Sequence, residues 1–217
     1  MPEYDPAMNQ SLLLNLSALT ALLPMSIVAV RRPGRRDAVF WAVLAVAIAG
    51  PVAFAVAQLA EGWLTSLSTA LWISIAASIL LFGALCLVVR EAWRLTPLVA
   101  PYLLLLGLIG SAAEFAPGRA LPAALPQAWL DVHIVISVAT YGLLTIAAIA
   151  GVAVLLQERA LRRKRASGLA QSLPSVADAE RLQVGLLVAS EIVLGLGLLT
   201  GMATAYVASG VVLPIDH

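Results

Sequence analysis

His133 and His217 are the only two histidines in the chain, and they set what coordination chemistry it can do. Two neutral imidazoles brought from different elements suit the axial positions of a haem iron, whose remaining ligands come from the macrocycle. They are too few for a closed zinc site without added carboxylates. From residue type alone, a lone histidine at a membrane surface is more often a hydrogen-bonding anchor than a metal ligand. Cys86 is the single cysteine, which excludes an internal disulfide, a CxxC redox pair and a cysteine metal cluster, and it reads as a small packing residue. No HExxH motif is present, and Ser111 lies in Gly-Ser-Ala-Ala with no histidine in its own apolar block. Hydrolytic chemistry therefore has no nucleophile and base to work with, and the chain does not read as an enzyme.

The other informative polar groups sit inside apolar runs. His133, Ser137, Thr140, Tyr141 and Thr145 follow a spacing of i, i+4, i+7, i+8 and i+12, which lines them along one face of a helix for about 18 Å. Such a stripe faces protein, a ligand or water. For the serine and threonines, interhelical hydrogen bonds of roughly 0.6 kcal/mol each are a sufficient reason; for His133, anchor and ligand stand level. Glu191 lies about eight residues, or roughly 12 Å, inside the last apolar block. A carboxyl at that depth is costly and reads as buried, either as a hydrogen-bonded structural group or as a step on a proton path. No arginine or lysine lies within any apolar block to pair with it.

The elements that must position these groups follow from composition. With 61% apolar residues, 12% charged residues and a mean hydropathy of +0.97, the chain lies far outside the range of a soluble domain. Its apolar residues fall in blocks at about 11–30, 38–59, 69–89, 96–112, 133–156 and 184–206. Each is long enough to cross a hydrocarbon layer of ~30 Å as a helix, and none alternates as a barrel strand would. The expected fold is all-α, a polytopic integral membrane protein of about six transmembrane helices, in a single membrane domain spanning 1–217. The segment Ala113 to Val132, with Glu114, Arg119, Asp131, Pro117, Pro122 and Pro126, reads as an ordered or semi-ordered loop. Gln157 to Gln183 reads as a polar connection.

Arg31, Arg32, Arg35, Arg36, Arg90, Arg94, Arg159, Arg162, Arg163, Lys164, Arg165 and Arg181 all fall on one side of such a fold, and only Arg119 falls on the other. Positive loops stay cytoplasmic, so both termini are expected outside (periplasmic). A net charge of +1 spread over short loops excludes nucleic acid as a partner and leaves membrane lipid as the expected one. Glu3 and Asp5 precede the first block without an obvious small-residue cleavage site, so that block is expected to be retained. Gly197 and Gly201, followed by Ala205, form a GxxxG face on the last helix, and Ala147 with Gly151 repeat the spacing on the fifth. Gly50-Pro51 is expected to kink the second helix near its middle.

The run from Trp129-Leu-Asp-Val-His133 through Ser137 and Thr140-Tyr141 to Gln157-Glu158-Arg159-Ala-Leu161 resembles the cytochrome c assembly protein family. The likeness continues through Leu173-Pro174 and Glu180-Arg181-Leu182 into Gly195, Leu198, Leu199, Thr200 and Gly201, covering roughly residues 100 to 217. The chain looks closer to the less characterised inner-membrane branch of the HemX and YpjD kind than to the maturation proteins. The resemblance implies a place in the bacterial cytoplasmic (inner) membrane, a role in cytochrome c assembly or haem handling, and cytochrome c maturation proteins as partners. It implies haem as the cofactor, with His133 and His217 as candidate axial ligands, and Trp129 and Tyr141 as candidate pocket residues. The tryptophan-rich outside motif of the maturation proteins is absent, since Trp41, Trp63, Trp72, Trp93 and Trp129 are scattered. Family members commonly continue with further spans, so the chain reads as a truncated form.

Two other functions remain open on the residues. A small-solute or proton-coupled transporter or export channel would use the polar stripe and Glu191 to line a path. A non-catalytic membrane subunit would hold a partner through the GxxxG face and the basic loop from Arg159 to Arg165.

Overall fold

The computed structural model describes residues 6–31, 36–60, 64–113, 119–120, 127–164 and 168–209. The apolar blocks become α1 (Pro6–Arg31), α2 (Ala38–Ala60), α3 (Leu67–Val88), α4 (Thr96–Ala112), α5 (Gln127–Arg162) and α7 (Val176–Ser209), with a short turn of helix, α6 (Gly168–Ser172), between the last two. Six of these are long and apolar enough to cross a membrane. The molecule is a multi-pass membrane protein, and the regular structure of its described residues is helical but for a two-residue antiparallel ladder that pairs Leu64 with Ala120 and Thr65 with Arg119.

Helices α1 to α4 close on one another, α1 against α2 and α4, and α3 against α2 and α4. Trp72, Phe54, Phe82, Leu22, Met25 and Leu44 fill the space between them. Lipid offers no hydrophobic reward for packing one apolar helix on another, so contact depends on how closely backbones approach. Gly50 shows this: a Cβ there would lie 2.5 Å from the Cβ of Ala21 and 3.3 Å from the Cα of Ala18. Pro51 follows it inside a helix that stays continuous, and the missing side chain at Gly50 lets α1 and α2 approach closely there. Helix α5 then packs on α3, and α7 chiefly on α5, at the margin of the bundle.

Helix α5 begins at Gln127, not at His133, which corrects the expectation of a loop through Val132. Pro126 stands immediately before its first residue, where a proline ring costs nothing because the first helical N–H groups have no partner anyway. Six further residues gain helical form, and one of them, Trp129, reaches α7 with its indole. At the other end α5 runs to Arg162 and α7 starts at Val176, so the polar connection is shorter than expected. At 36 and 34 residues these two helices are about 54 and 51 Å long and must protrude from a ~30 Å hydrocarbon layer.

Among the described residues, the arginines other than Arg119 gather at one end of the bundle, where Arg36 and Arg94 bridge neighbouring elements. Arg36 donates from Nη2 to the Cys86 carbonyl at 2.9 Å, near the C-terminus of α3. Its guanidinium also lies 5.0 Å from the centre of the Trp41 ring, and Phe40 meets Trp41 and Trp93 edge-on. Gln157 does most to shape the connection. Its Nε2 donates to Ala170 O at 2.8 Å and Pro174 O at 2.9 Å, with Leu173 O at 3.4 Å. One carboxamide thus satisfies the carbonyls that a chain reversal leaves without helical partners. Gln157→Leu orphans them and is expected to cost about 1–3 kcal/mol, read as a lower melting temperature and faster amide exchange across 168–175. Unchanged exchange there would show that the turn holds without Gln157.

Candidate functional site

At the end opposite the arginines, the first turns of α5 meet the last turns of α7. Gly197 and Gly201 make this possible: a Cβ at Gly197 would lie 3.3 Å from Ile136 Cγ2, and one at Gly201 would lie 3.1 Å from His133 Cε1. The expected GxxxG face therefore packs on α5 within the chain, and a partner cannot use it without displacing that helix. Farther along, Gly151 admits the Gln183 side chain, whose Nε2 lies 3.0 Å from where its Cβ would stand.

His133 is half-buried in this seam. Its Nδ1 lies 3.1 Å from Thr200 Oγ1, and Thr200 Oγ1 donates to the Gly197 carbonyl at 3.0 Å. The Thr200 carbonyl in turn accepts from Trp129 Nε1 at 3.3 Å and from Thr204 Oγ1 at 2.7 Å. The structure thus joins Trp129, His133 and Thr200 in one network across two helices. Thr200 is the residue that sequence reading missed in this role. It was visible only as part of a resembling run, although Thr200 and Thr204 at i, i+4 are themselves a polar pair on the face that Gly197 and Gly201 share.

The remaining stripe separates on folding. Ser137 and Thr140 donate to carbonyls one turn back on their own helix, His133 O at 2.8 Å and Ile136 O at 2.9 Å. Their hydroxyls are satisfied locally, as serine and threonine readily are inside apolar helices. Tyr141 is 64% exposed and takes no part in the His133 network. His217 lies outside the described residues. Among the described residues, no three of His, Cys, Asp and Glu come together as a metal-binding group.

Glu191 is exposed, which corrects the expectation of a buried carboxyl. The seam of α7 against α5 follows Leu182, Leu186, Ser190, Gly197 and Gly201, and Glu191 falls roughly 120° around the helix from it. Desolvation makes lipid an expensive surrounding for a carboxylate, but it says nothing of which helices surround it. The carboxyl stands on the outside of α7, the least enclosed of the six spans, with only 22% of its most apolar window buried. That position does not support a solute path between helices of this chain.

Residues 13–212 match the model of a family described as Cytochrome C assembly protein. The chain is also 49% identical over 215 residues to an uncharacterized 28.8 kDa protein of Azospirillum brasilense, a match that covers 97% of this chain and 79% of that one. No solved structure matches.

Proposed function

The chain belongs to the cytochrome c assembly protein family, and from that premise we propose that it handles haem during cytochrome c biogenesis, with His133 Nε2 as an axial ligand. Membership carries the role in cytochrome c biogenesis; the haem site is our reading of the residues. The observation that supports it most is the way His133 is held, Nδ1 engaged by Thr200 and Nε2 without a hydrogen bond among the described residues. The Thr200 hydroxyl has one proton. Donated to Gly197 O, it leaves Oγ1 to accept from Nδ1–H, so Nε2 keeps its lone pair for a metal. Ligating histidines are commonly fixed through their other nitrogen in this manner.

The donor set suits haem better than a bare metal ion. One imidazole, or two if His217 joins it, is incomplete for a cation that needs four protein ligands, but sufficient where a macrocycle supplies the rest. Haem, when bound, supplies an iron with two axial positions and an apolar plane edged by two carboxylates. His133 orients that plane, Thr200 and Trp129 hold His133, and His217 is the candidate second ligand. Placing the arginine-rich end in the cytoplasm of a bacterial inner membrane sets His133 near the outer surface. There haem and cytochrome c maturation proteins would be its partners.

The test is the visible spectrum of the protein purified in mild detergent from haem-sufficient cells, oxidised and then reduced with dithionite, beside His133→Ala. A Soret band that depends on His133 is expected. A band identical in His133→Ala would remove His133 as a ligand, and no band in either protein would remove resident haem from the reading.

A further inference from the structure

At the arginine-rich end, α3 and α7 stand apart with α5 behind them, leaving an open groove of about 580 Å³. Leu85 of α3 and Val89 just beyond its end form one wall, Leu182 and Leu186 of α7 the other, and Leu143 of α5 closes the back. Gly185 lies on the groove, and a Cβ there would meet nothing within 4 Å. No side chain of the described residues fills this space. The groove runs along α7 from Arg181 to Ala189, eight residues or about 12 Å toward the bilayer centre.

Its mouth is polar and its depth is not. Arg90 and Arg181 both line the mouth and are both exposed. Glu91 and Asp178 line it as well: Glu91 Oε2 faces Arg94 Nη1 at 3.5 Å and Asp178 Oδ2 accepts from the neutral Ser175 hydroxyl at 2.6 Å, so that with Arg94 three guanidiniums stand at the mouth against these two carboxylates. Among the described residues, Arg90 and Arg181 make no such contact, and neither sits deep enough to be shielded from a headgroup.

We propose that this groove binds one anionic phospholipid, an acyl chain lying along Leu143, Leu182, Gly185 and Leu186 and the phosphate held between Arg90 and Arg181. The occupant follows from the combination. An apolar trough opening sideways into hydrocarbon takes a chain, and two unpaired guanidiniums at headgroup level select a negative head. A lipid there also completes the packing that α3 and α7 lack, so binding stabilises the attachment of α7 to the bundle.

The experiment uses delipidated full-length protein in detergent, with phosphatidylglycerol or phosphatidylcholine added, bound lipid counted by native mass spectrometry and stability followed by thermal unfolding. Phosphatidylglycerol is expected to be retained about 30-fold more than phosphatidylcholine, the factor that two arginines give at about 1 kcal/mol each, and to raise the melting temperature more. Arg90→Gln with Arg181→Gln should abolish the preference while phosphatidylcholine binding persists. Gly185→Phe should fill the trough and reduce retention of both lipids. Inorganic phosphate should give no stabilisation, because the headgroup alone leaves the trough empty. Equal retention of the two lipids, an undiminished preference in the double variant, or full retention in Gly185→Phe would each overturn the proposal.

Discussion

Gly50→Leu is expected to prevent α1 and α2 from seating on each other, with a large loss of stability. The position has no room for even a methyl group, because the nearest atoms are the Ala21 Cβ at 2.5 Å and the Ala18 backbone at 3.3 Å. Neither can swing aside as the end of a long side chain could. The helices must part, and every contact between them loosens together, including those of the fully buried Leu22 and Leu44. Overpacking a close-fitted core costs about 1–3 kcal/mol, and a branched side chain against rigid neighbours belongs at the upper end or beyond. The check is thermal unfolding in detergent, alongside Gly50→Ala and the pair Gly50→Ala with Ala21→Gly. Moving the methyl from α1 to α2 should recover most of the single variant's loss, since the two positions share one space and cannot act additively. A double variant no better than Gly50→Ala would show that the approach of the two backbones is not what limits this interface.

Gly201→Leu is expected to weaken haem retention by about 10- to 100-fold, the range for changes to residues that orient a metal ligand. A Cβ at this position would stand 3.1 Å from His133 Cε1, 3.7 Å from Nδ1 and 3.8 Å from Nε2. A leucine there pushes the imidazole off α7, breaks its contact with Thr200 and covers the nitrogen we assign to iron. Gly195→Leu is the control, because a Cβ at Gly195 meets nothing within 4 Å and the same substitution lands on the outer face of the same helix. Retention is measured by haem transfer to an apo-globin acceptor, with circular dichroism to show that both variants fold. Loss in both variants would trace the effect to α7 as a whole. Loss in neither would remove His133 as the point of attachment.

The sequence by itself determined that the described residues hold six helices long and apolar enough to cross a membrane. Twenty-residue apolar blocks have one stable form in hydrocarbon, where every backbone N–H and C=O must be satisfied within its own helix. It also determined that the arginines, Arg119 apart, share one end, because alternate connections of successive hairpins must, and the run around His133 pointed to the family. These are consequences of local composition and chain order. Which polar groups meet was decided only by tertiary structure. The helical stripe beginning at His133 has the same periodicity whether its members face a partner, lipid or their own backbone, and the fold sends His133 to Thr200, Ser137 and Thr140 to local carbonyls, and Tyr141 to the surface. Glu191 looked buried because its cost in lipid is a property of the carboxyl, whereas its exposure depends on α7 lying at the margin with α5 as its main neighbour. Gln157 read as one polar residue in a connecting stretch, and its three carbonyl contacts exist only once residues 170–174 turn back on it. Periodicity fixes the angle of a side chain about its own helix axis; what stands at that angle depends on the rotation and neighbours of whole helices, set by long-range packing.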